Sequence, residues 1–358
     1  MTMSCMKHSR RAWIAPLAAL ALLASSIAAP SGVDAAPPDK LHRIGMLERT
    51  PATINAAHLD AFRQGLRDNG YIEGQSFVIE YRSADGHDDR FPALAAELVR
   101  LKVDVIVTRG TPAALAAKNA TGTIPVIITG VGDPVGQGIV TSLARPGTNV
   151  TGLSAAVTEI FPKRVQLLKE LVPKAARLGV LFNMANPALP PQWKEVEKAA
   201  RVLSMEPQLL DVRKVEDLEP AFDAAIKQRA DGLIVGLDTL TQANQHVIVD
   251  LAAKRRLPAM YASAEFAGGL ISYGVDYPAM YRQAAGYAHK IFRGAKPADL
   301  PVEEPTKLQL VINPTTARAL GLTISPALLL RADTLTESPR VGPASPAKAI
   351  RLFDAQAP

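Results

Sequence analysis

Residues Pro125–Ser154 of the 358-residue chain read PVIITGVGDPVGQGIVTSLARPGTNVTGLS. The run opens with apolar, β-branched residues, a composition typical of a buried parallel strand. A glycine-rich loop follows, in which Asp133-Pro134 predicts a helix with Asp133 as N-cap and Pro134 at its first position. The turn Arg145–Asn149 then leads into a second short strand, Val150–Ser154. A polar loop at the carboxyl end of a strand, in a chain that moves on to a new sheet, predicts a ligand cleft between two lobes.

Strand and helix patterns alternate through the rest of the chain. The other predicted strands are 43–47, 77–81, 103–107, 177–182, 207–212, 232–237, 258–262, 270–274 and 308–312. The predicted helices are 57–69, 91–101, 112–119, 162–171, 191–203, 218–229, 242–255, 278–293 and one from Thr315. Two βαβα blocks in series predict an α/β fold with two doubly wound parallel sheets.

Four stretches together are typical of one family of proteins: GDPVGQGIVTSLARPGTNVTGLS (132–154), FAGGLISYG (266–274), AAGYAHKIFRGAKPADLP (284–301) and KLQLVINPTTARALGLTISPALLL (307–330). They resemble the substrate-binding proteins of ABC importers, whose better-known members serve tryptophan and tyrosine uptake. The resemblance covers about residues 42–335. It implies a periplasmic-binding-protein-like fold, in which two lobes joined by a three-segment hinge capture a solute without catalysis.

The resemblance also implies the order in which the chain visits the lobes. The expected parts are a signal peptide (1–35), a first lobe (40–153 plus 275–304), a second lobe (154–274 plus 305–335) and a disordered tail (336–358). The expected hinge segments are Thr151–Ala156, Ser272–Asp276 and Val302–Lys307. The tail is rich in Pro, Ala and Ser without periodicity, which is typical of disorder.

The N-terminus has the pattern of a secretory signal peptide. Basic residues from Lys7 to Arg11 precede the apolar stretch Ala12–Ala29, and small residues follow it. The alternative is a membrane anchor, against which Pro16 argues. We therefore expect a periplasmic protein. The single cysteine, Cys5, lies ahead of the apolar stretch, so the mature chain would have no thiol for a disulfide, a metal site or catalysis.

Charge and motifs argue against other functions. The formal net charge is +6, but the basic residues are scattered, which disfavours nucleic-acid binding. The six histidines lack metal-ligand spacing, and no Walker A sequence, nucleophile elbow or correctly placed dinucleotide fingerprint occurs. We expect no enzymatic activity, no cofactor, no metal and a monomeric state.

In the first lobe, three loops at strand ends each contain a polar residue before a proline. The polar residues are Thr50, Thr111 and Asp133. Each either caps its own helix or contributes to a site for an anionic group such as a carboxylate. Asp133 would repel an anion, so it suits a structural cap or an amine partner. Arg109 either faces the cleft, where it favours an acidic ligand, or faces solvent, which we favour.

In the second lobe, the matching loops carry the candidates Asn183, Asp238, Tyr261 and Glu265. Asp238 is the preferred partner for a ligand ammonium group, and its alternative role is N-cap of the helix that follows. Tyr273, next to the presumed recrossing, either stacks on an apolar or aromatic ligand or is a half-buried hinge residue. These assignments follow from topology and from the resemblance.

The predicted function is that of the periplasmic solute-binding component of an ABC importer. The protein would capture a small molecule, an amino acid or a related carboxylate, and present its closed form to an inner-membrane permease. One alternative is a periplasmic sensor domain that signals to a receptor. Another is a two-lobe transferase or hydrolase, which would need a convergent acid–base pair in the cleft.

Overall fold

The computed structural model describes residues 40–155, 160–305 and 308–337. The predicted signal peptide and all but the first two residues of the predicted tail lie outside these ranges. The strands are β1 (His42–Glu48), β2 (Phe77–Ser83), β3 (Val105–Arg109), β4 (Val126–Val131), β5 (Val150–Ser154), β6 (Arg177–Phe182), β7 (Glu206–Asp211), β8 (Gly232–Val235), β9 (Ala259–Tyr261), β10 (Ile271–Val275), β11 (Val302–Glu303), β12 (Leu308–Ile312) and β13 (Thr334–Leu335). The helices are α1 (Ala56–Asp68), α2 (Phe91–Arg100), α3 (Gly110–Ala120), α4 (Ile160–Leu171), α5 (Leu189–Val202), α6 (Leu218–Lys227), α7 (Thr239–Ala243), α8 (Gln245–Lys254), α9 (Tyr277–Phe292), α10 (Pro314–Ala319) and α11 (Pro326–Arg331).

The first lobe is built on a six-stranded parallel sheet in the order β11-β5-β4-β3-β1-β2. Its strands alternate between two apolar clusters, one on each face. On β1, Ile44 and Met46 join the cluster of α1 and α9, whereas Leu47 joins that of α2 and α3. Since side chains of a strand point to opposite faces in turn, a continuously apolar strand needs helices on both sides. The lobe is therefore doubly wound.

The second lobe has a seven-stranded sheet in the order β13-β12-β10-β9-β8-β6-β7. Val180 and Phe182 of β6 pack with α4 and α5 on one face, and Leu181 packs with α6 and α8 on the other. The pairs are parallel except β10 with β12, which run antiparallel. This antiparallel pair follows from the late return of the chain to the second sheet.

The chain crosses between the sheets three times. It leaves the first sheet after β5, returns through α9 after β10, adds β11 to the first sheet, and ends in β12 and β13 of the second. Helix α9 packs closely on α1, where a Cβ on Gly65 would lie 2.5 Å from the carbonyl oxygen of Arg282. The expected two-lobe fold with three connections is confirmed. The exact lobe boundaries and the hinge role of the connecting segments stay predictions.

The element pattern departs from the expected one at a few points. The helix predicted from Pro134 is wrong, because residues 134–138 form turns. Asp133 accepts a bond from the backbone N–H of Gly136, but Gly136 and Gly138, the latter at φ +65°, do not support a helix. The short strands β11 and β13 and helix α11 were not predicted, and the predicted helix 242–255 is divided into α7 and α8.

Within the described ranges, no helix has the length and apolar character needed to span a bilayer.

Candidate functional site

A cavity lies where the strand ends of the two sheets face each other. The space between the lobes at this point measures about 510 Å³ when the open part of its mouth is included. The loop after β1, the start of α3 and the end of β4 line it from the first lobe, and α4 and the loops after β6 and β9 line it from the second. Its wall includes Arg49, Thr111, Gly130, Phe161, Arg164, Ala262 and Tyr277.

Two glycines shape the first-lobe wall of this cavity. Gly130 has φ +70°, and a Cβ there would lie 2.7 Å from the Cε1 atom of Tyr277. Gly110 has φ +77°, and a Cβ there would overlap the guanidinium group of Arg49. Both positions thus need glycine for the backbone conformation and for space. They let Tyr277 and Arg49 lie directly against the strand ends.

A buried ionic cluster joins the two lobes beside the cavity. Arg109, at the end of β3, is 1% exposed, and its Nη2 atom lies 2.5 Å from Glu265 Oε1 of the second lobe. The His58 Nε2 atom of α1 lies 3.0 Å from the same oxygen. The side-chain amide of Gln242 in α7 donates to the other Glu265 oxygen, and the Arg109 guanidinium lies 4.1 Å above the Tyr277 ring. Glu265 thus receives partners from both lobes.

The comparisons with known proteins agree with this architecture. A family model described as ABC transporter substrate binding protein matches residues 52–336. The chain belongs to this family. It is 30% identical over 264 residues to a tyrosine-binding protein of Clostridioides difficile (strain R20291), covering 73% of this chain and 75% of the relative.

Two solved structures are similar to this substrate-binding protein over 83% of its length and 100% of theirs. One is a conserved domain protein of Vibrio cholerae O1 biovar El Tor, with a TM-score of 0.77 and 28% identity. The other is an ABC domain in complex with L-Trp from Streptococcus pneumoniae, with a TM-score of 0.76 and 24% identity. The family is one of substrate-binding proteins, and the second of these neighbours was solved with a bound amino acid. Proteins of this family bind small molecules, work with ABC permeases and are typically extracytoplasmic.

The electrostatics of this binding protein favour an ionised Glu265. Burial alone would raise its pKa, but Arg109 and His58 outweigh burial and lower the pKa to about 2. Burial, helped by Arg109, lowers the pKa of His58, although Glu265 opposes this shift. Arg109 therefore neutralises the carboxylate charge of Glu265, and His58 contributes a hydrogen bond to the same oxygen.

A second buried carboxyl, Glu48, lies at the end of β1. The hydroxyl of Tyr281 in α9 donates to Glu48 Oε1 at 2.5 Å, and the other carboxyl oxygen has no hydrogen-bond partner among the described residues. Burial raises the pKa of Glu48 to about 7, although Arg109, Tyr281 and Arg49 oppose the shift. Glu48 therefore titrates near neutral pH.

Among the predicted first-lobe residues, Thr111 lines the cavity. Thr50 is buried, and its carbonyl accepts a hydrogen bond from the Tyr81 hydroxyl. Asp133 is exposed and bonds to its own turn. The expectation that Arg109 faces solvent is wrong, because the residue is enclosed between the lobes and paired with Glu265.

The predicted second-lobe residues lie around the cavity without lining it. Asp238 is fully buried and caps α7 by accepting from Thr241 N at 2.8 Å, and burial raises its pKa. Asn183 lies in the turn after β6, where its Oδ1 atom accepts from Ala185 N. The Tyr261 ring stacks on Phe266 at 4.9 Å. Tyr273 is half-buried, and its carbonyl accepts from Arg164. The ligand-binding roles of all eight predicted residues stay predictions.

Sequence reasoning missed Arg49, Arg164, His58 and Tyr277. Arg49 directly follows Glu48 at the end of the first strand, so its position at the strand end could have been predicted from the sequence. Arg164 lies among the buried residues of α4, which also include Phe161, Val165 and Leu168. A basic residue inside an apolar helical stripe is a visible signal. His58 and Tyr277 had no comparable signal, because their contacts are with distant segments.

Proposed function

We propose that this protein is the periplasmic solute-binding component of an ABC importer. It captures a small molecule, an amino acid or a related carboxylate, between its two lobes by hinge closure, and its closed form is what an inner-membrane permease recognises. The observation that carries the proposal is a cavity lined by both lobes at the strand ends, where helix starts and loops offer polar groups. Family membership supports this function, and the 30% identical tyrosine-binding relative supports an amino acid or a similar acid as ligand.

Closure follows from differential binding. A ligand that contacts Thr111 in the first lobe and Arg164 in the second gains both contacts only when the lobes are together. It therefore shifts the open–closed equilibrium toward the closed form. The Arg109–Glu265 pair, which also crosses between the lobes, contributes to the same form.

The periplasmic location rests on the family and on the signal-peptide pattern of the N-terminus. N-terminal sequencing of the protein recovered from a periplasmic extract checks this part of the proposal. A mature chain that starts near residue 36 is expected. Recovery of the full-length chain from the membrane fraction contradicts export as a free protein.

Thermal unfolding with a panel of amino acids, small carboxylates and amines tests solute binding. A ligand at a hundred times its Kd stabilises the folded protein by about 2.7 kcal/mol, so the true solute raises the melting temperature by several degrees. Native mass spectrometry then identifies the bound compound, which should be recovered unchanged. If no compound of the panel shifts the unfolding temperature and none co-purifies, the proposed function is wrong.

A further inference from the structure

Arg164 is a buried cation without an acidic partner. The residue is 3% exposed, its Nε donates to the Tyr273 carbonyl at 2.7 Å, and its Nη2 donates to the Ala262 carbonyl at 3.1 Å. In the described part of the chain, no carboxylate oxygen lies within 4 Å of its guanidinium group. Burial lowers the pKa of Arg164 to about 10, which still leaves it protonated at neutral pH.

Arg49 is the matching cation of the opposite lobe. It is 5% exposed, and its only hydrogen bond among the described residues runs from Nε to the Arg109 carbonyl, at 3.4 Å. Its Nη1 atom is buried and has no hydrogen-bond partner in the described part of the chain. Again no described carboxylate lies within salt-bridge distance. Both arginines line the same cavity.

The carboxylates near the cavity are engaged elsewhere. Glu265 is held by Arg109 and His58, and Asp238 caps α7. Glu48, Asp88 and Asp238 interact with Arg49 only at longer range. Among the described residues, the cavity wall contains two guanidinium groups and no carboxylate. An unpaired buried charge costs several kcal/mol, so the wall is complementary to an anionic group.

We propose that the carboxylate of the solute lies between Arg49 and Arg164, and that the site recognises this group and not an ammonium group. The solute class is then small organic carboxylates, including acids that have no amino group. This inference rests on the proposed function. Because the two arginines come from opposite lobes, the same carboxylate also bridges the lobes when they close.

Titration calorimetry with matched compounds tests the inference. The first probes are L-tyrosine, 3-(4-hydroxyphenyl)propanoate, which lacks only the ammonium group, and tyramine, which lacks only the carboxylate. Further acids without an amino group are phenylacetate, benzoate and succinate, and further amines are phenethylamine and benzylamine. At least one carboxylate without an amino group is expected to bind, with a Kd no more than about tenfold higher than that of the corresponding amino acid. Tyramine and the other amines are expected not to bind.

Variants of the two arginines supply the second readout. Arg49→Gln and Arg164→Gln are expected to weaken carboxylate binding at least about thirtyfold, the lower end for truncating one partner of a buried charge pair. Arg49→Lys, which keeps a cation, should bind better than Arg49→Gln. Arg331→Gln, at an exposed pair with Glu170, is the control and should bind like the wild type. Circular dichroism and thermal unfolding confirm that each variant is folded. If Arg164→Gln does not fold, the affinity of Arg49→Gln alone tests the proposal.

The outcomes separate the two proposals. Binding of an amine as tight as that of its amino acid, or unchanged carboxylate affinity in Arg49→Gln, overturns the carboxylate assignment and leaves solute binding intact. Binding of amino acids alone, with no deaminated acid bound, also overturns it. If no compound of any class binds the wild type, both proposals are wrong.

Discussion

The replacement of Glu265 by glutamine tests how much the ionic cluster between the lobes stabilises the closed form. Glu265 lies in the second lobe, and its partners Arg109, at 2.5 Å, and His58, at 3.0 Å, lie in the first. Lobe opening would separate the carboxylate from both partners and return it to water. Glu265→Gln removes the charge while keeping the shape of the side chain, and it leaves Arg109 buried without a counter-ion in the closed form.

The size of the effect follows from the pKa of Glu265, which is lowered from 4.5 to about 2. This net shift already contains the opposing effect of burial. At 1.36 kcal/mol for each pKa unit, it corresponds to about 3 kcal/mol in favour of the closed form. Breaking a buried pair by removing one partner costs a similar amount, about 3–5 kcal/mol. A closed form destabilised by this energy binds a solute up to about a hundredfold more weakly.

Small-angle scattering and titration calorimetry measure the two consequences. Glu265→Gln is expected to be more open without solute and to bind its solute up to about a hundredfold more weakly. A lowered carboxyl pKa stabilises above the ordinary pKa and loses its effect only as the pH falls through about 2. The comparison is made at pH 6, where Glu265 is ionised and Glu48, which also interacts with Arg109, is mostly protonated.

The control for this prediction is Glu170→Gln, at an exposed ion pair with Arg331 within the second lobe. Exposed pairs contribute about 0–1 kcal/mol, so this variant should match the wild type. If Glu265→Gln keeps wild-type scattering and affinity, the cluster does not stabilise closure and the reasoning is refuted.

Three further predictions concern single side chains. Burial raises the pKa of Glu48 to about 7, so its ionisation destabilises the fold as the pH rises from about 4.5 to 7. In urea unfolding, Glu48→Gln should exceed the wild type in free energy of unfolding by up to about 3 kcal/mol at pH 8 and match it near pH 4. Equal stability of the two proteins at both pH values would contradict this. Gly274→Ala places a Cβ against the carbonyl oxygen of Ala262, which also accepts a hydrogen bond from Arg164. Thermal unfolding should show a loss of stability of about 1–3 kcal/mol. The control Gly286→Ala, in α9 with open space around it, should be neutral or stabilising. Asp238→Asn keeps the oxygen that caps α7 and should bind L-tyrosine and 3-(4-hydroxyphenyl)propanoate in the wild-type ratio; a selective loss for tyrosine would show that Asp238 holds the ammonium group.

Local patterns predicted most of the fold. Strands such as Val126–Val131 and Arg177–Phe182 are buried apolar runs, and their composition alone limits them to the inside of a sheet. The segment after Asp133 shows where this reasoning fails. An N-cap and a proline predict a helix start, but two glycines in the next five residues remove the support that a first turn needs.

The site was predictable only in part. Thr111 reached the cavity because it follows β3, a central strand whose carboxyl end faces the other lobe. The partner of Arg109 was beyond reach, since Glu265 lies 156 residues further along the chain and meets Arg109 only when two separate sheets face each other. The position of a residue at the end of a strand predicts the edge of the sheet at which its side chain lies. It does not predict which side chain of the other lobe will contact it.

Arg164 shows what a stricter reading of the sequence could have found. The buried residues Phe161, Arg164, Val165 and Leu168 follow helical spacing, so the arginine lies within an apolar stripe. Arginine is rarely fully buried without a partner, and a helix that places one there requires acceptors from other segments. Two backbone carbonyls supply part of them, but neither neutralises the charge. The sequence thus contained a buried cation in need of an anion, and the structure adds that the cation faces the cleft, where a solute can provide that anion.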